Sequence, residues 1–342
     1  MSNEPGVDKT HLQATKEEDG HSDDEPSFPV QKEETVDEDF DFEKMLDPEA
    51  EYVDLEHCRI GTISGLERLK VVQELCLRNN LLRKLEGLDC LAPTLTKLDL
   101  YDNRLKKIEN LDALELLESL DLSFNLFRKI EGIGNLSKIK KLFLLANKFT
   151  KIENVGHLTN LTMLELGDNR IRAIENLDTL PNLEELYLGK NKITKMSNLD
   201  NLTNLKILAL MTNRITKIEG LESLVNLEEL YLSHNGIEAL EGLEKNTKLQ
   251  TLDIAGNKIK RIENIGHLKE LEEFWANDNQ IDQWNDVKEL EKCSKLETVY
   301  LERNPLQTSA STQYRRRLMA MLPKLKQIDA TYTSVAAARE SV

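Results

Sequence analysis

Apolar residues recur with a period of 22 over most of the chain, from about residue 50 to residue 306. Residues 161–183 read LTMLELGDNRIRAIENLDTLPNL, which fits the template LxxLxLxxNxIxxIxxLxxLxxL. The asparagine of this template returns at this constant spacing at Asn103, Asn125, Asn147, Asn169, Asn191, Asn213, Asn235, Asn257 and Asn279. Asn80 precedes the series and Asn304 follows it at slightly longer intervals, and Cys58 fills the same slot further upstream. The spacing therefore predicts twelve stacked repeats.

Each half of the repeat predicts its own element. Side chains alternate along a strand, so Leu164 and Leu166 should face the core while Glu165 faces out. The asparagine can bury its amide where the chain leaves the strand and bond backbone groups there. The IxxIxxLxxL half should return as short helical or 3₁₀ turns on the other side. The predicted fold is an α/β solenoid, a curved horseshoe with a parallel sheet on its concave face and a C-terminal cap.

The flanking regions differ from the repeats in charge and in apolar content. Residues 1–50 hold 17 of the 61 acidic side chains and four lysines, and so carry most of the formal charge of −16. We expect residues 1–38 to be a disordered acidic tail and 39–49 a capping segment. The twelve repeats occupy 50–306 and the cap 307–342. Ser22 precedes three acidic residues, as acidophilic kinases prefer, although a solubilising leader is the favoured interpretation.

The C-terminal segment begins as a repeat and then departs from it. In QYRRRLMAMLPKLKQID, Tyr314 and Leu318 fall on one face of a predicted helix, and LPKLKQID resembles a final strand. Residues 315–317 are three arginines, which we interpret as the solvated side of the cap rather than a targeting signal.

Cysteine usage and hydropathy bear on location. The four cysteines show no C-x-x-C spacing, as expected for free thiols in a reducing compartment. No run approaches the ~18 apolar residues of a membrane span, and the N-terminus lacks the regions of a signal peptide. We expect the protein in the nucleus and cytoplasm.

The outward position between the two strand leucines carries the functional signal. Five of its twelve residues are acidic, five are aromatic and none is basic. In chain order they are Asp54, Cys76, Asp99, Asp121, Phe143, Glu165, Tyr187, Ala209, Tyr231, Asp253, Trp275 and Tyr300. A merely solvated strand surface would not be this rich in aromatic residues. The composition is typical of a protein-binding surface whose acids select a basic partner.

Other functions fit the residues less well. Nucleic acid needs clustered lysine and arginine, which this position lacks. Asp99 and Asp121 could approach within roughly 5 Å on neighbouring strands, yet no nucleophile or metal motif accompanies them. His157 and His267 share one outer position and are expected to be structural. We therefore predict no enzyme, no cofactor and no bound metal. A scaffold of a ribonucleoprotein (spliceosomal) assembly stays open as the alternative function.

The motifs LDLYDNRLKKIENLDAL, LFLLANKFTKIENV, LYLSHNGIEALEGLE and EFWANDNQI resemble the short leucine-rich-repeat regulatory subunits of protein phosphatase 1. The resemblance covers residues 50–332. It implies a non-enzymatic regulator whose inner face binds the phosphatase catalytic subunit and controls its maturation, activity or localisation. It also implies a monomer on its own that can share the phosphatase with a small inhibitor protein, and any catalytic metals would be the partner's.

The resemblance further implies a set of contact positions, nearly all in the outward row. They are Asp121, Phe143, Glu165, Tyr187, Asp253, Glu273, Trp275 and Tyr300. Because the family's pattern also takes phenylalanine at Tyr187, the added hydroxyl needs a polar or solvated neighbour.

Overall fold

One sheet of fourteen strands in sequence order organises the protein in the computed structural model, which describes residues 46–333. The acidic tail, Ser22 and residues 39–45 of the predicted capping segment lie outside the described residues. The first twelve strands have three residues each: β1 Tyr52–Asp54, β2 Glu74–Cys76, β3 Lys97–Asp99, β4 Ser119–Asp121, β5 Lys141–Phe143, β6 Met163–Glu165, β7 Glu185–Tyr187, β8 Ile207–Ala209, β9 Glu229–Tyr231, β10 Thr251–Asp253, β11 Glu273–Trp275 and β12 Thr298–Tyr300. The short strands β13 (Gln327–Ile328) and β14 (Thr331–Tyr332) follow.

Neighbouring strands from β1 to β13 are all parallel, whereas β14 runs antiparallel to its neighbour. Corresponding residues pair directly, as in Leu164 with Leu186 and Glu165 with Tyr187. Leu164 and Leu166 are fully buried, whereas Glu165 is half-buried on the opposite side. The predicted parallel-sheet repeat solenoid is thus confirmed, with its core made of leucine and isoleucine shared between repeats.

The recurring asparagine bonds each repeat to the one before it. In Asn169 the Nδ2 amide donates to the carbonyls of Leu144, Leu166 and Gly167 at 3.0, 3.1 and 2.9 Å. Its Oδ1 accepts from the Phe149 amide at 3.0 Å. These backbone groups lie where the strand ends, so the side chain replaces the bonds that the turn removes. The same bonding pattern recurs along the stack, as the sequence predicts for a buried amide.

The return half of the repeat forms the short turns that the sequence predicts. In the middle of the stack these are single turns closed by bonds three residues apart: the Leu180 amide donates to the Leu177 carbonyl and the Leu183 amide to the Leu180 carbonyl, at 3.1 and 3.3 Å. With one apolar residue every three positions, each turn buries its side chain and then bends again. Within the described range, 3₁₀ helices lie towards the ends of the stack, at Leu66–Arg68, Asp89–Leu91, Trp284–Asp286 and Ser311–Gln313.

A left-handed residue follows the second isoleucine in most return halves, and it explains why this position holds either asparagine or glycine in the sequence. Asn176 has φ 61° and Gly132 has φ 64°, values that asparagine and glycine tolerate best. The side-chain Nδ2 of Asn176 also donates to the Ile152 carbonyl at 2.7 Å. A Cβ at Gly132 would lie 2.3 Å from the Ile108 carbonyl oxygen, so the glycine is required by close backbone approach.

Asn246 occupies a slot that holds leucine in neighbouring repeats, as at Leu224 and Leu268. It is fully buried, and its Oδ1 has no hydrogen-bond partner among the described residues. An unpaired buried acceptor is unfavourable. The Leu221 and Leu224 carbonyls, to which the side-chain amide donates, each also accept a backbone amide and so keep a partner when the asparagine is replaced. Asn246→Leu should therefore stabilise the protein by about 1 kcal/mol. Thermal denaturation checks this, with Asn226→Leu, whose amide is at the surface, as the control. A lower melting temperature for Asn246→Leu would contradict the prediction.

The C-terminal end of the stack is helical. The longer repeat between Asn279 and Asn304 contains helix α1 (Val287–Glu291). The repeat pattern does not predict a helix in this segment. Helices α2 (Pro305–Ala310) and α3 (Tyr314–Met321) follow, and they bury Leu306 and Leu318 in the core.

The arginine run in α3 is more than a solvated face. Arg315 donates to the carbonyls of Ile328, Thr331 and Tyr332 at 3.0, 3.0 and 2.6 Å. Arg317 stacks over the Trp284 ring at 4.2 Å. Two of the three arginines therefore tie the cap together.

Candidate protein-binding face

The outward residues form one continuous row on the side of the sheet opposite the core, here called the strand face. Each is the last residue of its strand, and the registers place it directly beside the last residue of the next. The pairing continues without a slip to Trp275 and Tyr300. We call this set, from Asp54 to Tyr300, the third-position row. Parallel strands lie ~4.8 Å apart, so neighbours in the row touch.

The row is less exposed than strand alternation alone predicts. Phe143, Tyr187 and Trp275 are half-buried, while Tyr231 and Asp253 are only 7% and 6% exposed. The side chains are this little exposed because the strands are closely spaced, so each large side chain covers the one beside it. The row is therefore a packed aromatic and acidic surface rather than a line of separate side chains.

Carboxylates in the row are held by the backbone two residues further on. Asp121 accepts from the Ser123 amide at 2.8 Å, and Glu165 accepts from the Gly167 amide at 2.7 Å. The same bond occurs at Asp54, Asp99 and Asp253. One bond leaves most of a carboxylate's acceptor sites unused, so these groups are fixed in position and still able to bind a cation.

The middle of the row favours the protonated forms of its acids. Burial raises the pKa of Asp121 to about 6, and the neighbouring Asp99 carboxylate adds to the rise. Burial also raises the pKa of Glu165 to about 8. Arg78 pairs with Asp99 at 3.0 Å and partly offsets the rise in the Asp99 pKa that burial causes. A cation placed here by a partner would lower these pKa values and favour the charged forms.

The raised pKa of Glu165 makes stability depend on pH in a definite direction. The folded chain holds this proton up to about pH 8, whereas the ordinary glutamate value is 4.5, so stability falls as pH rises between those values. Glu165→Gln should therefore stabilise the protein at pH 8 relative to pH 5 by ~1 kcal/mol after allowance for solvent. Thermal denaturation at both pH values measures this, with Glu184→Gln at the surface as control. Equal pH dependence in Glu165→Gln and the parent would contradict it.

Aromatic rings cluster at the C-terminal end of the row. Trp275 packs edge-on between Tyr231 and Tyr300, with ring centroids 6.3 and 5.9 Å apart. Gln327 donates to the Tyr300 hydroxyl at 2.6 Å. A cavity of about 200 Å³ opens here, lined by Glu273, Trp275, Thr298, Tyr300 and Gln327. The Trp275 Nε1 atom is buried and has no acceptor within the described part of the chain.

A second row of side chains lies on the strand face beside the first. It consists of the first residue of each strand, called here the first-position row: Tyr52, Glu74, Lys97, Ser119, Lys141, Met163, Glu185, Ile207, Glu229, Thr251, Glu273 and Thr298. Of these, only Glu273 is among the contacts predicted from the sequence. The same repeat period, taken two positions upstream of the third-position row, would have revealed the others. Lys97 and Lys141 add cations to the N-terminal half, where Lys97 pairs with Glu74 at 2.8 Å.

The hydroxyl of Tyr187 finds the polar neighbour that it needs. It donates to Glu185 Oε2 at 2.9 Å, and the Tyr231 hydroxyl donates to Glu229 Oε2 at 2.5 Å in the same way. Burial raises the pKa of both hydroxyls, so each stays protonated as a donor.

Two of the cations that flank the third-position row are already engaged. Arg78 stacks over the Tyr101 ring at 4.1 Å in addition to its pair with Asp99. Arg303 donates to both carboxylate oxygens of Asp278 at 2.6 and 2.7 Å. Both arginines are therefore paired with acids of this chain.

The remaining candidate chemistry is structural. The Nε2 atoms of His157 and His267 each lie 2.9 Å from a carbonyl oxygen of the preceding repeat. Within residues 46–333 no three histidine, cysteine or acidic side chains are grouped to hold a metal ion. No helix in that range is long and apolar enough to cross a membrane.

Comparison with known proteins establishes the class. A family model described as Leucine Rich repeats (2 copies) matches residues 93–135 and, in overlapping spans, 159–289, together slightly more than half of the chain. The chain belongs to the leucine-rich-repeat family. An internalin from Listeria monocytogenes superposes with a TM-score of 0.65 at 24% identity, covering 82% of this chain and 87% of the internalin. A leucine-rich-repeat protein from Leptospira interrogans gives 0.63 at 27% identity, with 77% and 73% covered.

More specific similarity is confined to a short segment. Protein phosphatase 1 regulatory subunit 7 of Mus musculus is 62% identical over 51 residues, and its Homo sapiens counterpart is 59% identical over the same length. Protein phosphatase 1 regulatory subunit SDS22 of Saccharomyces cerevisiae is 52% identical over 46 residues. These matches span 15% or 13% of this chain and 14% of each relative's length. The names agree with the sequence-based resemblance and with the expectation of a non-enzymatic protein.

Proposed function

We propose that this chain is a non-enzymatic regulatory subunit that binds the catalytic subunit of protein phosphatase 1 through its strand face. The observation that carries the proposal is the third-position row, where five fixed carboxylates and five packed aromatic rings lie side by side among twelve registered strands. Such a surface offers aromatic anchors and selects a partner of positive charge. The relatives with matching segments are named as regulatory subunits of that phosphatase.

The proposed contacts lie in two groups along the face, one on β4–β7 and one on β10–β12. Asp121, Phe143, Glu165 and Tyr187 occupy the ends of four successive strands, β4 to β7. Asp253 and Trp275 pair across β10 and β11, with Glu273 two residues before Trp275. Tyr300 closes the series on β12. Bound there, the chain would control the maturation, activity or localisation of the phosphatase.

Further parts of the proposal concern assembly and location. We propose that the free chain is a monomer and that a small inhibitor protein can join the complex. The four cysteines are free thiols, which suits a reducing compartment, and we assign the protein to the nucleus and cytoplasm.

Charge reversal within the row tests the proposal. Asp253→Lys should lower the affinity for purified catalytic subunit at least tenfold, because it places a cation against the partner's basic surface. Glu244→Lys, an exposed position in the return half of its repeat, makes the same charge change and should leave the affinity within twofold. Isothermal titration calorimetry measures both, after thermal denaturation shows that each variant is folded. No binding by the unchanged chain, or equal binding by Asp253→Lys, would refute the proposal.

A further inference from the structure

The C-terminal half of the strand face repeats one local unit in alternate strands. β7, β9 and β11 read ELY, ELY and EFW, so each carries an acid at its first position and an aromatic ring at its third. The intervening strands β8, β10 and β12 read ILA, TLD and TVY. Their first positions are all uncharged, which isolates each glutamate from the next.

Registered pairing places these glutamates in one line. Glu185 pairs with Ile207 and Ile207 with Glu229, and the series continues through Thr251 to Glu273. Two strand spacings separate successive glutamates, or ~9.6 Å. All three side chains are half-buried on the strand face.

In the two ELY units the tyrosine positions the acid. The Tyr187 and Tyr231 hydroxyls donate to the carboxylates of Glu185 and Glu229, which limits the directions those carboxylates can take. Each carboxylate keeps further acceptor sites for an incoming donor. A preorganised acid loses less conformational entropy when it binds than a free one does.

The two halves of the face differ in charge. Strands β7–β12 contain no lysine or arginine, whereas β1–β6 contain Lys97 and Lys141 in the first-position row. The acids of the C-terminal half therefore have no cation within their own strands. Lys206, one residue before β8, lies near Glu185 and is already paired with Glu184 at 2.7 Å. At the end of the line, the 200 Å³ cavity beside Glu273, Trp275 and Tyr300 offers ring faces on which a guanidinium or ammonium group can stack.

We propose that Glu185, Glu229 and Glu273 form a line of evenly spaced carboxylates, here called the ruler. It binds a basic segment of the partner whose cationic side chains stand about 10 Å apart. This inference rests on the proposed function and adds Glu185, Glu229 and Tyr231 to the binding surface. Tyr187 and Tyr231 act as positioning residues, and the partner's terminal cation enters the cavity beside Trp275. The spacing makes the surface selective for charge pattern as well as for charge.

The test is a titration of purified phosphatase 1 catalytic subunit with the full chain at low and moderate salt. Glu185→Gln/Glu229→Gln should lower the affinity at least tenfold and weaken its dependence on salt. Glu184→Gln/Glu228→Gln removes the same charge one residue earlier and should stay within twofold of the parent. Tyr231→Phe should lower the affinity about threefold alone and add little in the Glu229→Gln background, as expected for a residue that acts through that acid.

The outcomes distinguish failure of the ruler from failure of the proposed binding to the phosphatase catalytic subunit. One outcome overturns the ruler alone: the unchanged chain binds, Trp275→Ala weakens binding, and Glu185→Gln/Glu229→Gln stays within twofold of the parent. In that case the proposed function stands. Equal losses in the two glutamine pairs would also overturn the ruler, because general charge would then explain the effect. If the unchanged chain does not bind the catalytic subunit, both fall. Matching thermal denaturation profiles of parent and variants show that each comparison is between folded proteins.

Discussion

Asn169→Ala is expected to destabilise the protein by about 3 kcal/mol, the largest effect on stability predicted for any single substitution. The change removes three bonds to carbonyl oxygens and takes the acceptor from the buried Phe149 amide. A buried backbone group that has no hydrogen-bond partner costs its full desolvation free energy, because it has lost its bonds to water and gained none in the protein. Because each repeat stabilises its neighbours, the loss should spread to adjacent repeats.

A nearby asparagine serves as the matched control. Asn160 donates one bond, to the Ser137 carbonyl at 2.9 Å, in an exposed position. Asn160→Ala should therefore cost less than ~1 kcal/mol. Urea denaturation followed by circular dichroism measures both variants. Similar midpoints for Asn169→Ala and Asn160→Ala would show that the recurring asparagines do not hold the repeats together.

Trp275→Ala is expected to weaken binding to the phosphatase catalytic subunit by ~2 kcal/mol or more, about thirtyfold. The indole lies between Tyr231 and Tyr300 and borders the cavity, so truncation opens the centre of the aromatic cluster. Phe143→Ala should have an effect of similar size, because Phe143 is the one ring between Asp121 and Glu165.

The control for both substitutions is Tyr332→Ala. Tyr332 is 69% exposed on the antiparallel strand β14, outside both rows of the strand face. Its truncation should leave the affinity within twofold. Calorimetric titration of the folded variants measures all three, and an unchanged affinity for both Trp275→Ala and Phe143→Ala would rule out the third-position row as the binding surface.

Much of the fold could be predicted because its signal is periodic. Leu164, Leu166 and Asn169 each fill a fixed slot of the repeat, and nine evenly spaced asparagines define the register of the whole stack. Stacked repeats have little topological freedom, since each unit can bury its apolar edge only against its neighbours. Strand identity, strand order and the direction of each outward side chain therefore follow from the pattern.

Features that depend on side-chain packing between repeats were not predictable. The low exposure of Tyr231 and Asp253 arises from neighbours one full repeat away in the chain, and their sizes combine in ways that a single repeat does not reveal. The roles of Arg315 and Arg317 depend on how the cap folds back on β13 and Trp284. Glu185 and Glu229 were missed because the first strand position has no fixed residue type in the template.

An experimental structure of this chain bound to the catalytic subunit of protein phosphatase 1 tests the central claim most directly. The account predicts that the catalytic subunit lies on the strand face, with basic side chains against Glu165 and Asp253 and with Phe143, Trp275 and Tyr300 covered. A complex in which the catalytic subunit contacts the return halves of the repeats or the C-terminal cap, with the third-position row left open to solvent, would contradict it.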